Sequence, residues 1–203
     1  MSSAHPSLIS NELTPWIQCI EKRLNDFTAS HSSLTQWGRA YCEAVALAIK
    51  AAKLGNFGVG AVLCDTDGTM LAYGHNEVFV PYARSDAHAE MMTMDQFEKE
   101  WRVSHSDVDI TTLTLITTLE PCIMCTGRLL ISAVNQIKYM SPDHNHGATS
   151  IVKHLPETYA CFSDKTNFSL ASDCPPELRQ LAHDVFFMHP LFEKQLSNHG
   201  AEL

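Results

Sequence analysis

Apolar residues recur at helical spacing near the start of the chain. Four of them follow one another at separations of four, four and three positions, which predicts an amphipathic helix. They are Trp16, Ile20, Leu24 and Phe27. Thr14 is placed to cap this helix, with Pro15 at its first position, and the polar segment 29–33 ends it. A second apolar stripe predicts a helix from Thr35 to Leu54.

Further along, short runs of β-branched and apolar residues alternate with helical patterns. The predicted strands cover 59–64, 69–75, 113–119, 136–140 and, as a short edge strand, 158–162. Asp67-Gly68 favours a hairpin between the first two strands. The predicted helices cover 86–102 (capped by Asp86), 121–134 (opened by Pro121) and 176–188. This alternation is typical of a three-layer α/β/α domain.

The 203 residues suit one domain with an addition at its N-terminus. We interpret residues 1–34 as a helical extension and 35–203 as the main domain, whose chemistry-bearing part spans about 40–150. No apolar run is long enough to cross a bilayer, and the first ten residues do not resemble a signal peptide. Seven scattered cysteines without a secretion signal favour reduced thiols and a cytoplasmic location.

Charge narrows the choice of partner. Fourteen Lys and Arg against 23 Asp and Glu give a formal net charge of −9, and no segment is strongly basic. A protein that binds a phosphate backbone usually presents a basic patch. Its Lys and Arg side chains displace the counterions of the phosphates, and the release of these counterions supplies much of the affinity. The balance therefore argues against long nucleic acid as the partner and favours a small molecule.

Two short fragments indicate a metal site. Cys122 and Cys125 lie three positions apart at a predicted helix start, where both thiols face one side and thiolate is favoured. His88 opens the other helix with Glu90 two positions on. A Cys-x-x-Cys alone is also a redox pair, and a lone histidine is usually not a ligand. Together, two thiolates and one imidazole suit Zn²⁺, and three ligands leave a position for water, as in catalytic sites.

These fragments carry a family resemblance. His88-Ala89-Glu90 followed by Pro121-Cys122-Ile123-Met124-Cys125 is similar to the His-x-Glu and Pro-Cys-x-x-Cys signature of zinc deaminases. The chain resembles the cytidine/deoxycytidylate-type deaminase superfamily, and the segment 118–127 resembles its branch of guanine, cytosine and tRNA adenosine deaminases. The resemblance implies a cytidine-deaminase-like fold with a mixed sheet of about five strands, and a homodimer.

The same resemblance implies hydrolytic deamination of a nucleobase or nucleoside. Zinc held by His88, Cys122 and Cys125 would activate water to attack the ring carbon that carries the amino group, with Glu90 moving the protons. We expect a small substrate, with a guanine-like purine favoured over a pyrimidine. The alternative is a tRNA adenosine deaminase that forms inosine. A non-catalytic, zinc-stabilised binding module is a third possibility, which Glu90 argues against because a structural site needs no proton shuttle.

Substrate contacts are expected from three further residues, Asn76, Ala89 and Asp143. Asn76 follows a predicted strand, where relatives hold the base or ribose, although an asparagine can simply end a strand. Asp143 occupies a loop that borders the pocket in relatives, and a turn role is equally open. The histidines of that region, at 144, 146 and 154, are predicted to face solvent.

Overall fold

Five strands form one mixed sheet in the computed structural model, which describes residues 10–101, 103 and 108–188. The strands are β1 Gly60–Cys64, β2 Met70–His75, β3 Thr114–Leu119, β4 Gln136–Ser141 and β5 Asn167–Leu170. Their order is β2-β1-β3-β4-β5, with β1 antiparallel to both neighbours and β3, β4 and β5 mutually parallel. The predicted mixed sheet of about five strands is confirmed.

Helices cover both faces of this sheet. They are α1 Ser10–Ser30, α2 Gln36–Lys53, α3 Ala89–Gln96, α4 Ile123–Ser132, α5 Glu157–Ser163 and α6 Pro176–Phe187. One apolar cluster joins α1, α2 and α6 to one face, and a second joins α3 and α4 to the other. The strand β1 shows why: Val62 belongs to the first cluster and its neighbour Leu63 to the second, because successive side chains of a strand point to opposite faces. The three-layer α/β/α prediction is confirmed.

The first helix differs from its prediction at the start. It begins at Ser10, so Pro15 lies inside it, whereas the sequence pattern predicted a start at Thr14-Pro15. A proline at this position removes one helical hydrogen bond. The apolar side chains that follow stabilise the helix, because Ile17, Ile20 and Leu24 are buried against the core.

The extension is packed onto the main domain. Phe27 of α1 is buried in the cluster that α2 and α6 also form, and Arg23 donates a hydrogen bond of 2.6 Å to Asp184 of α6. The predicted boundary at residues 34 and 35 falls between α1 and α2, and the separate status of the two parts stays a prediction. None of the described helices is long and apolar enough to span a membrane.

The segment after β4 was assigned wrongly. Residues 158–162 form part of α5 and are not a strand, and the edge strand is β5, which pairs with β4 from Gln136↔Asn167 onward. Pro156 is the residue that precedes α5, and an acidic residue, Glu157, occupies the first turn, where negative charge favours a helix start. The strand pattern in 158–162 was therefore overridden by local helix signals.

Candidate active site

His88 stands at the N-terminus of α3. It is the N-cap residue, with extended backbone, so the helix begins at Ala89 and not, as predicted, after a cap at Asp86. Asp86 instead pairs with Arg84, 2.9 Å between Oδ2 and Nη2. The regular helix ends at Gln96 and continues as a π-helical turn, Phe97–Trp101, while Arg102, the predicted end, lies outside the described residues.

The two cysteines stand at the N-terminus of α4. Cys122 is the N-cap and Cys125 the third helical residue, so the helix starts two residues after the predicted Pro121 and ends at Ser132, before the predicted Val134. The backbone before the helix is held extended, because Cys122 bridges to Gly147 and the carbonyl of Pro121 accepts a hydrogen bond from the loop after β4. This arrangement points both thiols to the same side, as the spacing predicted.

Side chains from these two helix starts converge. The ligand atoms of His88, Cys122 and Cys125 all lie within 4.8 Å of one another, and Nδ1 of His88 is 3.5 Å from Sγ of Cys122. A hydrogen bond from Cys125 lowers the pKa of the Cys122 thiol to about 4, and His88 acts in the same direction, against the effect of burial. Among the described residues this is the one such group of His, Cys, Asp or Glu. Two sulfurs and one imidazole nitrogen fit zinc.

Glu90 lies beside this group. One carboxylate oxygen, Oε1, accepts a hydrogen bond of 3.3 Å from Thr117 of β3, and the other, Oε2, is 3.5 Å from Sγ of Cys125. The side chain is buried, and burial raises the pKa of its carboxyl above the ordinary value. A carboxyl whose pKa is raised toward neutral pH is chemically able to take up and release a proton, and this one lies beside Cys125.

Two of the three candidate zinc ligands, His88 and Cys122, line a cavity of about 210 Å³. This volume is below the roughly 300–1,000 Å³ of pockets for drug-sized ligands and suits a group the size of one base. Its lining residues are Phe57, Val59, Asn76, His88, Glu90, Leu119, Glu120, Cys122, Asp143, His146 and Phe186. They come from the edge of the sheet where β2, β3 and β4 end and β1 begins.

Two of the three expected substrate residues line this cavity. The side-chain oxygen of Asn76 accepts a hydrogen bond from the Val78 amide, 3.1 Å, which leaves its NH₂ group as a donor without a partner among the described residues. Asp143 has the turn role as well, since its Oδ1 accepts two backbone hydrogen bonds, from Asn145 and His146. Ala89, buried at the start of α3, is not among the lining residues.

Several lining residues received no substrate role from the sequence. Glu120 follows β3 directly, and its carboxylate accepts hydrogen bonds from the Asp143 amide and the Thr149 hydroxyl, tying the two strand ends together. Gly147 permits this, because a Cβ there would lie 2.5 Å from Cδ of Glu120. His144, His146 and His154 are all exposed, as predicted, and His146 also lines the cavity. Because carboxyl ends of parallel strands meet at one edge, Glu120 could have been anticipated.

The fold and the three candidate zinc ligands are those of a known class of enzyme, as comparison with other proteins shows. Residues 35–141 match the model of the cytidine and deoxycytidylate deaminase zinc-binding region. A tRNA-specific adenosine deaminase of Haemophilus influenzae is 30% identical over 158 residues, which cover 75% of this chain and 84% of that protein. The chain therefore belongs to the cytidine and deoxycytidylate deaminase family, and its enzyme class is that of the hydrolytic deaminases, as the sequence predicted.

Solved structures show the same fold in two kinds of deaminase. A tRNA:A34 deaminase, studied for A-to-I editing at the wobble position of transfer RNA, matches with a TM-score of 0.51 at 21% identity, over 63% of this chain and 93% of that one. The guanine deaminase of Nitrosomonas europaea matches with a TM-score of 0.51 at 19% identity, over 72% of this chain and 80% of that one. These likenesses concern the fold alone.

Proposed function

We propose that the chain is a zinc-dependent hydrolase that converts adenosine to inosine, with adenosine in transfer RNA as the first candidate substrate. The observation that carries the reaction is that Glu90 lines one base-sized cavity together with His88 and Cys122, while its carboxylate also lies 3.5 Å from Sγ of Cys125. The sequence relatives support adenosine in transfer RNA, because the Haemophilus influenzae protein is a tRNA-specific adenosine deaminase. The guanine-like preference expected from the sequence is not confirmed.

Each group has a defined task in this proposal. His88, Cys122 and Cys125 would hold the zinc ion, and a zinc ion bound there would supply hydroxide from water near neutral pH. Glu90 accepts the proton of the attacking water, passes it to a ring nitrogen, and assists the departure of the amino group as ammonia. The water oxygen becomes the carbonyl oxygen of the product, so adenosine and water give inosine and ammonia.

The lining residues would orient the base. The NH₂ group of Asn76 is held by the hydrogen bond that its oxygen accepts from Val78, and it can donate to a ring nitrogen or a ribose oxygen. Asp143 is fixed by the turn and by its amide hydrogen bond to Glu120. Rigid placement of such groups is what brings a reacting carbon to within attack distance of its nucleophile.

We also propose the homodimer that the family resemblance implies, which analytical ultracentrifugation tests.

A small purine is the second candidate, and the charge distribution favours it. No lysine or arginine lines the cavity within the described part of the chain. Eight described cations lie within 4.0 Å of a carboxylate, so a phosphate backbone would have to compete for them. They are Lys22, Arg23, Lys53, Arg84, Lys99, Arg128, Lys138 and Lys153. The net charge of −9 acts in the same direction.

One experiment separates the candidates. Ammonia release is measured from adenosine, guanine, adenine and cytosine, and inosine formation is measured in transfer RNA, each at two salt concentrations. Activity on transfer RNA should fall steeply with salt, because about 6–10 phosphate contacts cost roughly 10³–10⁵ in affinity between low and moderate salt. Activity on a free purine alone, with little dependence on salt, would replace the first candidate with the second.

The control for catalysis is a matched pair of variants. Glu90→Gln should keep the fold and the zinc content but lose at least about 10²-fold in turnover, because the proton carrier is removed. Glu157→Gln makes the same chemical change on an exposed residue of α5 and should leave turnover unchanged. Turnover by Glu90→Gln at the parent rate would show that the proposed mechanism is wrong.

A further inference from the structure

One arginine, Arg128, links the two helices that carry the candidate zinc ligands. It lies on α4, three residues after Cys125, so the two side chains are neighbours on one face of that helix. Its Nη1 donates a hydrogen bond of 3.1 Å to the carbonyl oxygen of Met91, which directly follows Glu90 on α3. The contact therefore joins a side chain of one helix to the main chain of the other, close to the site.

The same guanidinium contacts two carboxylates further along α3. Nη1 lies 2.8 Å from Oδ1 of Asp95, and Nη2 donates a hydrogen bond of 3.0 Å to Oε2 of Glu98. These residues follow Met91 by four and seven positions, which brings the three acceptors to one side of α3 and its π-helical continuation. A planar guanidinium presents several donors in fixed directions, so it can hold three acceptors at once, whereas a lysine ammonium is a point charge.

These polar contacts add direction to an apolar interface. Leu129, next to Arg128, belongs with Met94 of α3 to one buried cluster. Apolar contact is non-directional and tolerates a shift along the helix axes, whereas hydrogen bonds fix that offset. Burial opposes ionisation of Asp95, but its hydrogen bonds from Arg128 and Lys99 outweigh burial and lower the pKa of its carboxyl. The ion pair with Arg128, whose side chain is only 22% exposed, is therefore present at neutral pH.

Two other polar contacts between α3 and α4 involve the site residues themselves. Sγ of Cys122 lies 3.5 Å from Nδ1 of His88, and Sγ of Cys125 lies 3.5 Å from Oε2 of Glu90. A thiol gives up its proton when it binds a metal, so hydrogen bonds donated by these thiols are lost on zinc binding. The contacts of Arg128 use none of these atoms, so they can hold the two helices with or without the metal.

We propose that Arg128 is a positioning residue that fixes the offset between α3 and α4 and so holds the three candidate zinc ligands at the separation that the metal requires. The inference rests on the zinc ligands of the proposed function and not on its substrate. Ligands that are already in place cost less to order, so loss of Arg128 should weaken zinc binding. Its charge alone predicts the opposite, because removal of a nearby cation favours a divalent cation.

The test measures zinc affinity by competition with a metallochromic chelator. Arg128→Gln should weaken zinc binding about 10-fold, the lower end of the roughly 10–100-fold lost when a partner of a metal ligand is removed, because Arg128 acts on the helices. Arg23→Gln makes the same change in an ion pair between α1 and α6 and should leave zinc affinity within about twofold. Arg128→Lys keeps the charge without the planar fork and should recover only part of the loss.

Cobalt substitution supplies a measurement that a loss of stability alone does not change. The visible absorption of bound Co²⁺ depends on the arrangement of its ligands, so the spectrum of folded Arg128→Gln should differ from that of the parent, and the spectrum of Arg23→Gln should not. Parent zinc affinity and cobalt spectrum in Arg128→Gln would reduce Arg128 to a stabilising contact and overturn the proposal, as would tighter zinc binding. Zinc binding that depends on Arg128, in a chain that deaminates no substrate, would support the proposal and overturn the proposed function.

Discussion

The close approach of Gly74 to α3 makes a substitution there a direct test of how the fold positions the site. A Cβ built on Gly74 lies 2.6 Å from the amide nitrogen of Thr93, 2.8 Å from its Oγ1, and 2.9 Å from the carbonyl oxygen of Ala89. These atoms belong to the first turns of α3, which carries His88 and Glu90. Gly74→Ala therefore pushes the helix that holds a proposed ligand and the proposed proton carrier.

The size of the effect follows from these distances. Bringing the 2.6 Å contact to an ordinary 3.4 Å requires a movement of about 0.8 Å. Thr93 cannot simply rotate away, because it is buried and its hydroxyl is held at the carbonyl oxygens of Ala89, 2.8 Å, and Ala61, 3.2 Å. A misplacement of about 1 Å can cost about 10²-fold in rate, so we expect kcat/KM to fall by roughly 10–10²-fold. Overpacking should lower the free energy of unfolding by about 1–3 kcal/mol.

The assay compares zinc content, kcat/KM and the thermal midpoint of Gly74→Ala with those of Gly127→Ala. The control adds the same methyl group to α4, where a Cβ meets nothing within 4 Å. It should retain activity and gain up to about 1 kcal/mol in stability, because alanine favours a helix over glycine. A Gly74→Ala variant with parent zinc content, rate and midpoint would refute the argument that contact with β2 fixes the position of α3.

Two further predictions concern the metal and the N-terminal helix. The purified chain should carry about one zinc ion, measured by elemental analysis. Cys122→Ser should lose this zinc, whereas Cys161→Ser, a change at an exposed thiol, should keep it. Full zinc retention in Cys122→Ser would remove Cys122 from the ligand set. Arg23→Gln should lower the free energy of unfolding at pH 7 by about 1–2 kcal/mol, because it leaves the nearly buried Asp184 without its cation, whereas Lys22→Gln, in an exposed pair, should change it little. Burial opposes ionisation of Asp184, but its hydrogen bonds, led by that from Arg23, outweigh burial and lower its pKa. The stabilisation is therefore present above the unfolded carboxyl pKa of about 3.9 and is lost as pH falls through the folded pKa. The stabilities of parent and variant should converge in acid, and a difference that persists there would contradict this assignment.

Much of the architecture could be predicted from the sequence because its signals are local. The stripes that define α1 and α2, and the apolar run of β3, depend only on spacing along one segment. The ligand types were predictable for a similar reason, since Cys122 and Cys125 are close in sequence and share a helix start wherever that helix lies. The exact starts of α3 and α4 were not predictable: His88 and Cys122 both have an extended backbone, and Cys122 pairs with Gly147, which is distant in the sequence.

The cavity wall was decided by tertiary structure. Phe57 and Phe186 are far apart in the chain, and neither carries a local pattern that distinguishes it from a core residue. They meet because β1 runs antiparallel to its neighbours, so that its start lies at the same sheet edge as the ends of β2, β3 and β4. The sequence by itself determined which atoms are able to hold a metal and carry a proton. Only the packing of strands and helices decided which side chains surround them, because that depends on the register between segments distant in sequence.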